Sequence, residues 1–454
     1  MTDSDRVQSP FRYSRRYYGQ ITTSGKTTHP LTIWDCEPLY RSMTPILGWA
    51  LRGDVNVERM SNALKLLDTY SMFIYALFSA ADTPRLKFKI DIPEASQEQS
   101  EPFKVTTFNA PDRALHEILP NYVPPGSASP SVKRFNPHKI PCLQSLAAFT
   151  KTAHHLLAKD VDTRTLDTDT YRLETEHLKN RPNLDGMIST LQKNSPSSFP
   201  GWAAVTLWGG LKLKLVSKIY SLRYPRTFGT AYLPPKLVAG LVARVRSKAG
   251  QGVVLSRNDI IASWFYKTTC GIYQPGTATT LSRAVNLRGK HYLISPGVSG
   301  NVLGLAVMPS VQSGALQKAS LEDLALTTRR SVEKFKDPDY VSIFMGFRMN
   351  CGNAGRIAIP KVKLGNQRCL ITSFVNLGLS NPKFGEGVSV ERPVQLTMEP
   401  VVIRVIDDAR GGWSIHGNLP HAAWDALEKT MKREMEDLDA ESQREAIKTC
   451  VKAT

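Results

Sequence analysis

The segment Ser256-Arg-Asn-Asp-Ile-Ile-Ala-Ser-Trp264 carries the clearest fold signal in the chain. A serine three residues ahead of an acidic residue is typical of a helix start, because each side chain can bond the other residue's backbone N–H. Apolar residues then recur at helical spacing up to Trp264,. Leu281 to Leu287 follows with the composition of a strand,. The sequence here predicts a capped helix that leads into a strand.

The same alternation of helix and strand extends outward in both directions. A helix is predicted from Pro235, because proline suits a first helical turn,. A second is predicted after Ser320, where Asp323 completes a capping pattern, and a third after Pro420,. Strands are predicted in both halves of the chain: Ile46–Leu51, Leu86–Ile92, Val302–Val307, Cys369–Val375, Val394–Ile406 and Trp413–His416, the last two paired across a turn at Asp407–Gly412,. No internal repeat is present, and the pattern predicts an α/β protein.

At 454 residues, the chain is long enough for more than one domain with its own core,. A stretch rich in Ser, Pro and Asn, from Leu191 to Gly201, has the composition of a linker,. We therefore expect an N-terminal domain at 1–190, a linker at 191–203 and a C-terminal domain at 204–454.

Composition is that of an ordinary globular protein, with 41% hydrophobic and 22% charged residues,. The most apolar run, Met72–Ala81, is too short to span a membrane, and the first residues lack the pattern of a secretion signal,. Six cysteines are scattered without close pairing, which argues against a disulfide framework and a zinc site,. These features predict a cytoplasmic protein.

The formal charge of +18 has three possible uses: binding nucleic acid, steering an anionic substrate such as a nucleotide-bearing thioester, and solubility,. Charge alone does not choose among them. Lys and Arg are spread thinly, without a long run and without interleaved aromatic residues, so we expect no nucleic-acid partner,.

One segment in the first half has the residues for acid–base chemistry: Lys151-Thr-Ala-His-His-Leu-Leu-Ala-Lys-Asp-Val-Asp-Thr163. An imidazole from His154 or His155 could accept a proton near neutral pH, because its ordinary pKa is close to that value. A pair of solvated surface histidines is the alternative.

Other motifs carry little chemistry. His416 and the remaining histidines lack partners at ligand spacing, and no carboxylate cluster predicts a metal,. Trp208–Gly210 and Gly411–Gly412 are interpreted as turns, and no phosphate-binding loop or serine nucleophile elbow is present,.

Taken together, Ser256–Trp264, Ser282-Arg-Ala-Val-Asn-Leu-Arg-Gly289 and Gly300-Asn301 resemble the BAHD-type acyl-CoA-dependent acyltransferases, and most closely their fungal secondary-metabolite branch. Further segments resemble that family in the same order: Leu321–Tyr340, Thr372–Phe374, Lys383–Gly387 and Val401–Leu419. The resemblance covers roughly residues 225–430 and only weakly the first half.

The resemblance implies two related domains of mixed sheet plus helices with an interdomain channel, as in chloramphenicol acetyltransferase. It implies a monomer with no bound cofactor, which uses acyl-CoA as co-substrate and a small-molecule acceptor. The residue spacing and the short apolar runs described above predict no metal and no membrane partner. A histidine of a His-x-x-x-Asp motif would deprotonate the acceptor hydroxyl or amine, while the Asp holds the loop by pairing with an arginine.

By the same resemblance, His155 or His154 would be the base, and Asp160 the loop-holding carboxylate with Arg288 as its partner. Phe384, Gly385 and Gly387 would support the site structurally, and Asn301 and Ser373 would bind substrate.

The chain departs from the family pattern at the histidine motif. Four residues separate His155 from Asp160 where the family has three, so Lys159 stands at the position of the Asp and Val161 at that of a usual Gly. Downstream, Lys383 and Glu386 replace a usual Asp and Trp. Three interpretations remain: acyl transfer with a local bulge, a CoA-independent cyclisation or rearrangement of a bound metabolite, and binding without catalysis.

Overall fold

The computed structural model describes the C-terminal half of the chain most fully. The described residues are 26–30, 47–52, 77–80, 88–93, 123–135, 197–206, 208–210, 215, 219, 222–249, 254–290, 303–354, 356–361, 366–375, 377, 379, 389–395, 402–408 and 410–453.

Strands and helices alternate through these residues. The strands are β1 (Lys26–Pro30), β2 (Leu47–Arg52), β3 (Leu77–Ala80), β4 (Phe88–Pro93), β5 (Ser131–Phe135), β6 (Trp202–Val205), β7 (Arg226–Leu233), β8 (Ala278–Asn286), β9 (Leu303–Val307), β10 (Val311–Gln312), β11 (Ile357–Pro360), β12 (Gln367–Ser373), β13 (Ser389–Gln395), β14 (Val402–Asp407) and β15 (Trp413–Pro420). The helices are α1 (Pro235–Lys248), α2 (Arg257–Cys270), α3 (Ser313–Lys318), α4 (Leu321–Glu333), α5 (Pro338–Asn353) and α6 (His421–Ala453), with a 3₁₀ turn at Lys334–Lys336 between α4 and α5.

The main sheet is mixed and has eight strands, in the order β10-β8-β12-β14-β15-β7-β5, with β9 also paired to β8. Strand β12 runs parallel to both β8 and β14, whereas the other pairs are antiparallel. The carboxyl ends of β8, β12 and β14 therefore lie at one edge of the sheet, which we call the carboxyl edge.

The described residues also form three smaller sheets. Strands β1, β4 and β3 form an antiparallel sheet, and β6 pairs with β11. Strand β13 pairs antiparallel with β2, with a bulge between Val390 and Arg392. Because β2 comes from the first tenth or so of the chain and β13 from its last fifth, backbone hydrogen bonds join distant parts of the sequence.

One face of the main sheet is covered by helices. The largest core cluster joins side chains of α1, α2 and α6 to alternate residues of the central strands, among them Trp264, Trp413 and Trp424. Gly229 on β7 permits this packing, since a Cβ there would lie 2.8 Å from the ring of Trp424. The indole Nε1 of Trp424 donates to the Thr227 carbonyl at 3.0 Å, so the long terminal helix is fixed to the sheet.

The predicted helix starts are confirmed. Helix α2 begins after Ser256, whose Oγ accepts from Asp259 N at 3.1 Å while Asp259 Oδ2 accepts from Ser256 N at 2.9 Å. Ser320 also caps α4, and its Oγ accepts from Asp323 N at 3.0 Å. Proline occupies the first turn of α1 as expected,.

Asp259 also belongs to a buried ion cluster. Its side chain is 1% exposed, Arg283 Nη1 on β8 donates to Oδ1, and Arg329 Nη1 on α4 lies 3.7 Å from Oδ2. One carboxylate therefore joins the cap of α2 to a strand and to a second helix, and its own charge is compensated by hydrogen bonds and two guanidinium groups.

Two sequence interpretations were wrong. Val394–Ile406 was predicted as one strand, but 389–395 pairs with β2 and 402–407 pairs with β12 and β15, so two strands of different sheets occupy the region. Trp208–Gly210 was predicted as a turn, but these residues are helical. Thr206 explains why 208–210 is helical. Its Oγ1 accepts a hydrogen bond from Gly209 N at 3.2 Å, and its carbonyl accepts one from Gly210 N at 2.9 Å. These bonds start a helix despite the two glycines.

Within the described part of the chain, no helix combines the length and apolarity needed to cross a bilayer.

Two matched substitutions test the ion cluster. Asp259→Ala leaves two largely buried arginines without their carboxylate and should lower the free energy of unfolding by about 3–5 kcal/mol. Asp323→Ala, at the equivalent but exposed position of α4, should cost at most about 1 kcal/mol. Urea unfolding of both variants measures the difference, and equal losses would show that the buried cluster adds nothing beyond the cap.

Buried tyrosines predict a loss of stability at alkaline pH. Burial raises the pKa of Tyr266 above its ordinary value of 10.0, and burial does the same for Tyr273. Above pH 10 the unfolded state therefore releases protons that the folded state keeps, and stability falls by up to about 1.4 kcal/mol per pH unit for each such tyrosine. Urea unfolding across pH 9–11.5 should show a shallower decline for Tyr266→Phe than for the native chain, and identical slopes would contradict the assignment.

Candidate functional site

Most residues assigned to the site by sequence lie outside the described residues: His154, His155, Asp160, Asn301, Phe384, Gly385 and Gly387. Their roles stay predictions. Arg288 and Ser373 are described, and the site is built here from them and from the side chains around them.

Arg288 lies in a tight turn that follows β8. Its backbone N and its Nη1 both donate to Asn286 Oδ1, at 3.1 and 3.2 Å, and Lys290 N closes the turn on the Leu287 carbonyl at 3.0 Å. Gly289 has φ 68°, which explains a glycine at that position,. The asparagine of the Val-Asn-Leu-Arg segment thus orients the half-buried guanidinium of Arg288.

Ser373 is the last residue of β12 and is half-buried. Its Oγ accepts a hydrogen bond from Val375 N at 3.3 Å. Because β8 and β12 are parallel neighbours, with Ile371 opposite Arg283, Ser373 and Arg288 both lie at the carboxyl edge. These two predicted site residues therefore lie at the same end of the main sheet, and their roles stay predictions.

The end of β14 completes this edge. Arg404 on β14 places its guanidinium carbon 5.8 Å from the ring centroid of Phe374, which directly follows Ser373,. Phe374 N donates to the Val405 carbonyl at 2.8 Å. Arg404 thus packs against the residue that follows β12, on the face of the sheet opposite the helices.

A row of polar residues crosses the sheet from this edge, on the face opposite the helices. Successive strand pairings place side by side, in what we call the polar row, Thr372, Arg404, His416, Thr230 and Lys133. Their strand neighbours Val405, Ile415 and Ala231 belong to the apolar core, so alternation puts the polar row on the other face,.

The central members of the polar row are buried. Arg404, His416 and Thr230 are each at most 3% exposed, and Thr230 Oγ1 lies 2.9 Å from His416 Nδ1. Ser414 and Ser282, on strands of the same sheet, have buried hydroxyl groups with no hydrogen-bond partner among the residues that the structure describes. Buried polar groups normally have partners, and in the polar row the described pair is Thr230 with His416,.

Sequence reasoning missed Arg404 and His416. The segment Val-Ile-Arg-Val-Ile-Asp contains a lone arginine in a buried strand, and His416 lies at the opposite position on the paired strand. An arginine inside an otherwise apolar strand is the signal that could have identified this position, since arginines are rarely buried unless they are paired,.

The hairpin beyond β14 is held by a buried carboxylate. Asp408 accepts from Tyr232 Oη at 2.8 Å, from Gly412 N at 2.7 Å and from Arg410 N at 2.9 Å. Gly126 N donates to Tyr232 Oη at 3.0 Å, so the 123–130 loop is joined to the same hairpin. These bonds fix the end of β14 and with it the carboxyl edge.

Metal and thiol chemistry find no support in the described residues. No group of three or more His, Cys, Asp or Glu side chains comes together there. Cys369 is buried and its pKa is raised well above 9.0 by a hydrogen bond with Cys270 and by burial, so the thiol stays protonated. It is therefore a core residue and a poor nucleophile.

The chain has the fold of solved structures that bind coenzyme A. It aligns with TRI101 of F. sporotrichioides, complexed with coenzyme A and T-2, at a TM-score of 0.55 and 10% identity over 89% of this chain and 97% of that one. It aligns with F. graminearum TRI101 complexed with ethyl coenzyme A at 0.55 and 12%, and with the deoxynivalenol complex at 0.52 and 11%, with the same coverage.

No family model and no curated protein matches the chain by sequence. At such low identity the structural likeness concerns the fold alone. It confirms the predicted fold class, an α/β fold of mixed sheets and helices of the two-domain, chloramphenicol acetyltransferase-like type.

A substitution in the polar row tests whether its buried pair is structural. Thr230→Val keeps the shape of the side chain but removes the hydroxyl beside His416 Nδ1, and should lower the free energy of unfolding by about 1–3 kcal/mol. Thr227→Val is the matched control on the same strand, because its hydroxyl makes only a 3.5 Å contact with the Phe228 carbonyl. Urea unfolding measures the free energy of unfolding of both variants. An unchanged value for Thr230→Val would mean that water replaces the hydrogen bond to His416.

Proposed function

We propose that the chain transfers an acyl group from acyl-CoA to a hydroxyl or amine of a small secondary metabolite. The observation that carries the proposal is the shared fold, over 89% of the chain, with proteins crystallised with coenzyme A and small-molecule mycotoxins. The resemblance of Ser256–Trp264 and Ser282–Gly289 to acyl-CoA-dependent acyltransferases supports it independently of the fold.

His155, or else its neighbour His154, would act as the general base. Its imidazole removes the acceptor proton as the acceptor oxygen or nitrogen attacks the thioester carbonyl. The tetrahedral intermediate then collapses, the C–S bond breaks, and the imidazolium returns the proton to the CoA thiolate. The products are the acylated acceptor and free CoA, so atoms and charge balance without a metal or redox cofactor.

Positive charge is the second support. The formal charge of +18 favours a ligand with several phosphates, and the half-buried Arg288 lies at the same end of the main sheet as Ser373,. Asp160 would pair with Arg288 and hold the histidine segment near this edge. Asn301 and Ser373 would contact substrate, and Phe384, Gly385 and Gly387 would shape the neighbouring loop. The proposed protein is a cytoplasmic monomer, in which a linker at residues 191–203 joins the two domains.

The altered histidine motif favours a second candidate. Lys159 stands where the resembled family has its structural Asp, and the extra residue before Asp160 would turn the carboxylate by about 100° on a continuous helix,. A chain that kept the fold but changed this motif could catalyse a cyclisation or rearrangement of a bound metabolite without CoA, or only bind it.

Coenzyme A binding separates the two candidates. Under the first, CoA and acetyl-CoA raise the melting temperature in a concentration-dependent way, because they bind the folded state. Under the second, only the metabolite stabilises the protein, and a screen of hydroxylated terpenoid and polyketide acceptors with acetyl-CoA releases no free thiol. Retention on heparin together with a shift of duplex DNA in gels would instead reveal a nucleic-acid-binding protein.

Replacing each histidine tests the base assignment. His155→Ala should lower kcat by about 10²–10⁴-fold, the usual contribution of general base catalysis, while CoA still raises the melting temperature. His154→Ala is the matched control at the adjacent position and should lose far less. Thiol release from acetyl-CoA measures turnover, and full activity in both variants would reject the assignment.

A further inference from the structure

A single oxygen atom holds both ends of Arg288. Asn286 is the last residue of β8, and its Oδ1 accepts from the backbone N of Arg288 at 3.1 Å and from Nη1 of the same residue at 3.2 Å. An asparagine that bonds the backbone two residues further on is a common turn former. Because the same oxygen also binds the guanidinium, it sets the direction of the arginine side chain.

The backbone of this turn has supports that do not involve the side chain of Asn286. Leu287 is fully buried in a core cluster with Phe335. The Leu287 carbonyl accepts from Lys290 N at 3.0 Å, and Gly289 supplies the φ of 68° that the turn requires,. The particular contribution of the Asn286 side chain is therefore the direction of the guanidinium.

The base of the turn is rigid as well. Strand β8 is paired with β9 on one side and with β12 on the other. Arg283, three residues before Asn286, donates to the buried carboxylate of Asp259 on α2. Since the strand is fixed in this way, the bonds from Asn286 orient Arg288 relative to the whole sheet and to Ser373 at the end of β12.

Stability gives little reason for these two hydrogen bonds. Asn286 is exposed and Arg288 is half-buried, and at such positions water can replace either partner at small net cost,. A long side chain also loses rotamer freedom when its tip is held in one place. An arginine that is ordered at this cost at the carboxyl edge indicates that its direction is used.

We propose that Asn286 is a positioning residue for acyl transfer, which holds the guanidinium of Arg288 in the direction that the site uses. This inference rests on the proposed function, because that function assigns Arg288 to the site. A guanidinium acts through directed hydrogen bonds as well as through charge. Loss of its direction therefore weakens its contacts even when its charge is unchanged.

Turnover of matched variants of the full chain tests this role, with acetyl-CoA and an acceptor from the thiol-release screen. Asn286→Ala removes the oxygen and should lower kcat/KM at least about tenfold, since small misplacements in a site are costly. Asn286→Asp keeps an oxygen in place and should stay within about fivefold of the native value, because an added charge at an exposed position has a small effect.

Lys290→Ala is the control in the same turn. Its backbone N makes the turn's hydrogen bond and is unchanged by the substitution, so kcat/KM should match that of the native chain. An equal loss in Lys290→Ala and Asn286→Ala would assign the effect to the turn as a whole and overturn the proposal.

A double variant separates positioning from a general loss of structure. Once Arg288→Ala has removed the guanidinium, a residue that acts only through it has nothing left to position. The chain with both Asn286→Ala and Arg288→Ala should therefore match Arg288→Ala alone within about twofold. Losses that multiply in the double variant, or no recovery of activity in Asn286→Asp, would contradict the role.

Chemical modification reports on the guanidinium without turnover. Phenylglyoxal reacts with arginine side chains, and peptide mass mapping gives its rate at Arg288. The rate should rise severalfold in Asn286→Ala and return to the native rate in Asn286→Asp, because the bond to Nη1 restricts the guanidinium. Equal rates in all three chains would overturn the positioning whether or not the chain transfers acyl groups. Altered rates without thiol release by the native chain would instead reject the proposed function, and with it the use of Arg288 in turnover.

Discussion

The buried carboxylate of Asp259 is the constraint on which the order of the C-terminal half depends. An unpaired charge at this depth would cost several kcal/mol, so the carboxylate is tolerated only when its partners are all in place. Those partners come from the cap of α2 at Ser256, from Arg283 on β8 and from Arg329 on α4. Strand β8 is thereby fixed against two helices. The strand ends at Asn286, three residues after Arg283, and the turn that carries Arg288 follows directly.

The sheet that β8 belongs to has two chemically different faces. Its helix-covered face is apolar and includes Leu281, Ile403 and Ile415. Its other face is buried as well, yet carries Arg404 and His416 in adjacent strands. Polar groups at such depth are stable only when they have hydrogen-bond or ring partners, as His416 has in Thr230 and Arg404 in Phe374,. The carboxyl edge, with Ser373 and Arg288, lies at one end of the same row.

Local signals predicted the helices well, because a cap and its helical periodicity lie within a few residues of each other. Ser256 with Asp259 and Ser320 with Asp323 gave correct starts for α2 and α4. Strand partners were not predictable, since the alternation of 394–406 does not show that its two ends join different sheets. The polar row was missed for a related reason: His416 becomes a neighbour of Arg404 only through pairing. The histidine motif at 154–160 lies outside the described residues, so its prediction rests on the resemblance alone.

The basic character of the chain attracts an anionic ligand but does not select one. Charge acts over a Debye length of about 8–10 Å in physiological salt, so it draws coenzyme A and any other phosphate-bearing molecule alike. Specific contacts must make that selection. Arg288 would supply one such contact in the proposed site, since two hydrogen bonds to Asn286 hold it in a turn at the carboxyl edge. Arg404 would not, because it is 3% exposed and packs against Phe374. A ligand held by charge alone would be released as salt screens the surface, whereas one held by an oriented guanidinium keeps part of its binding energy.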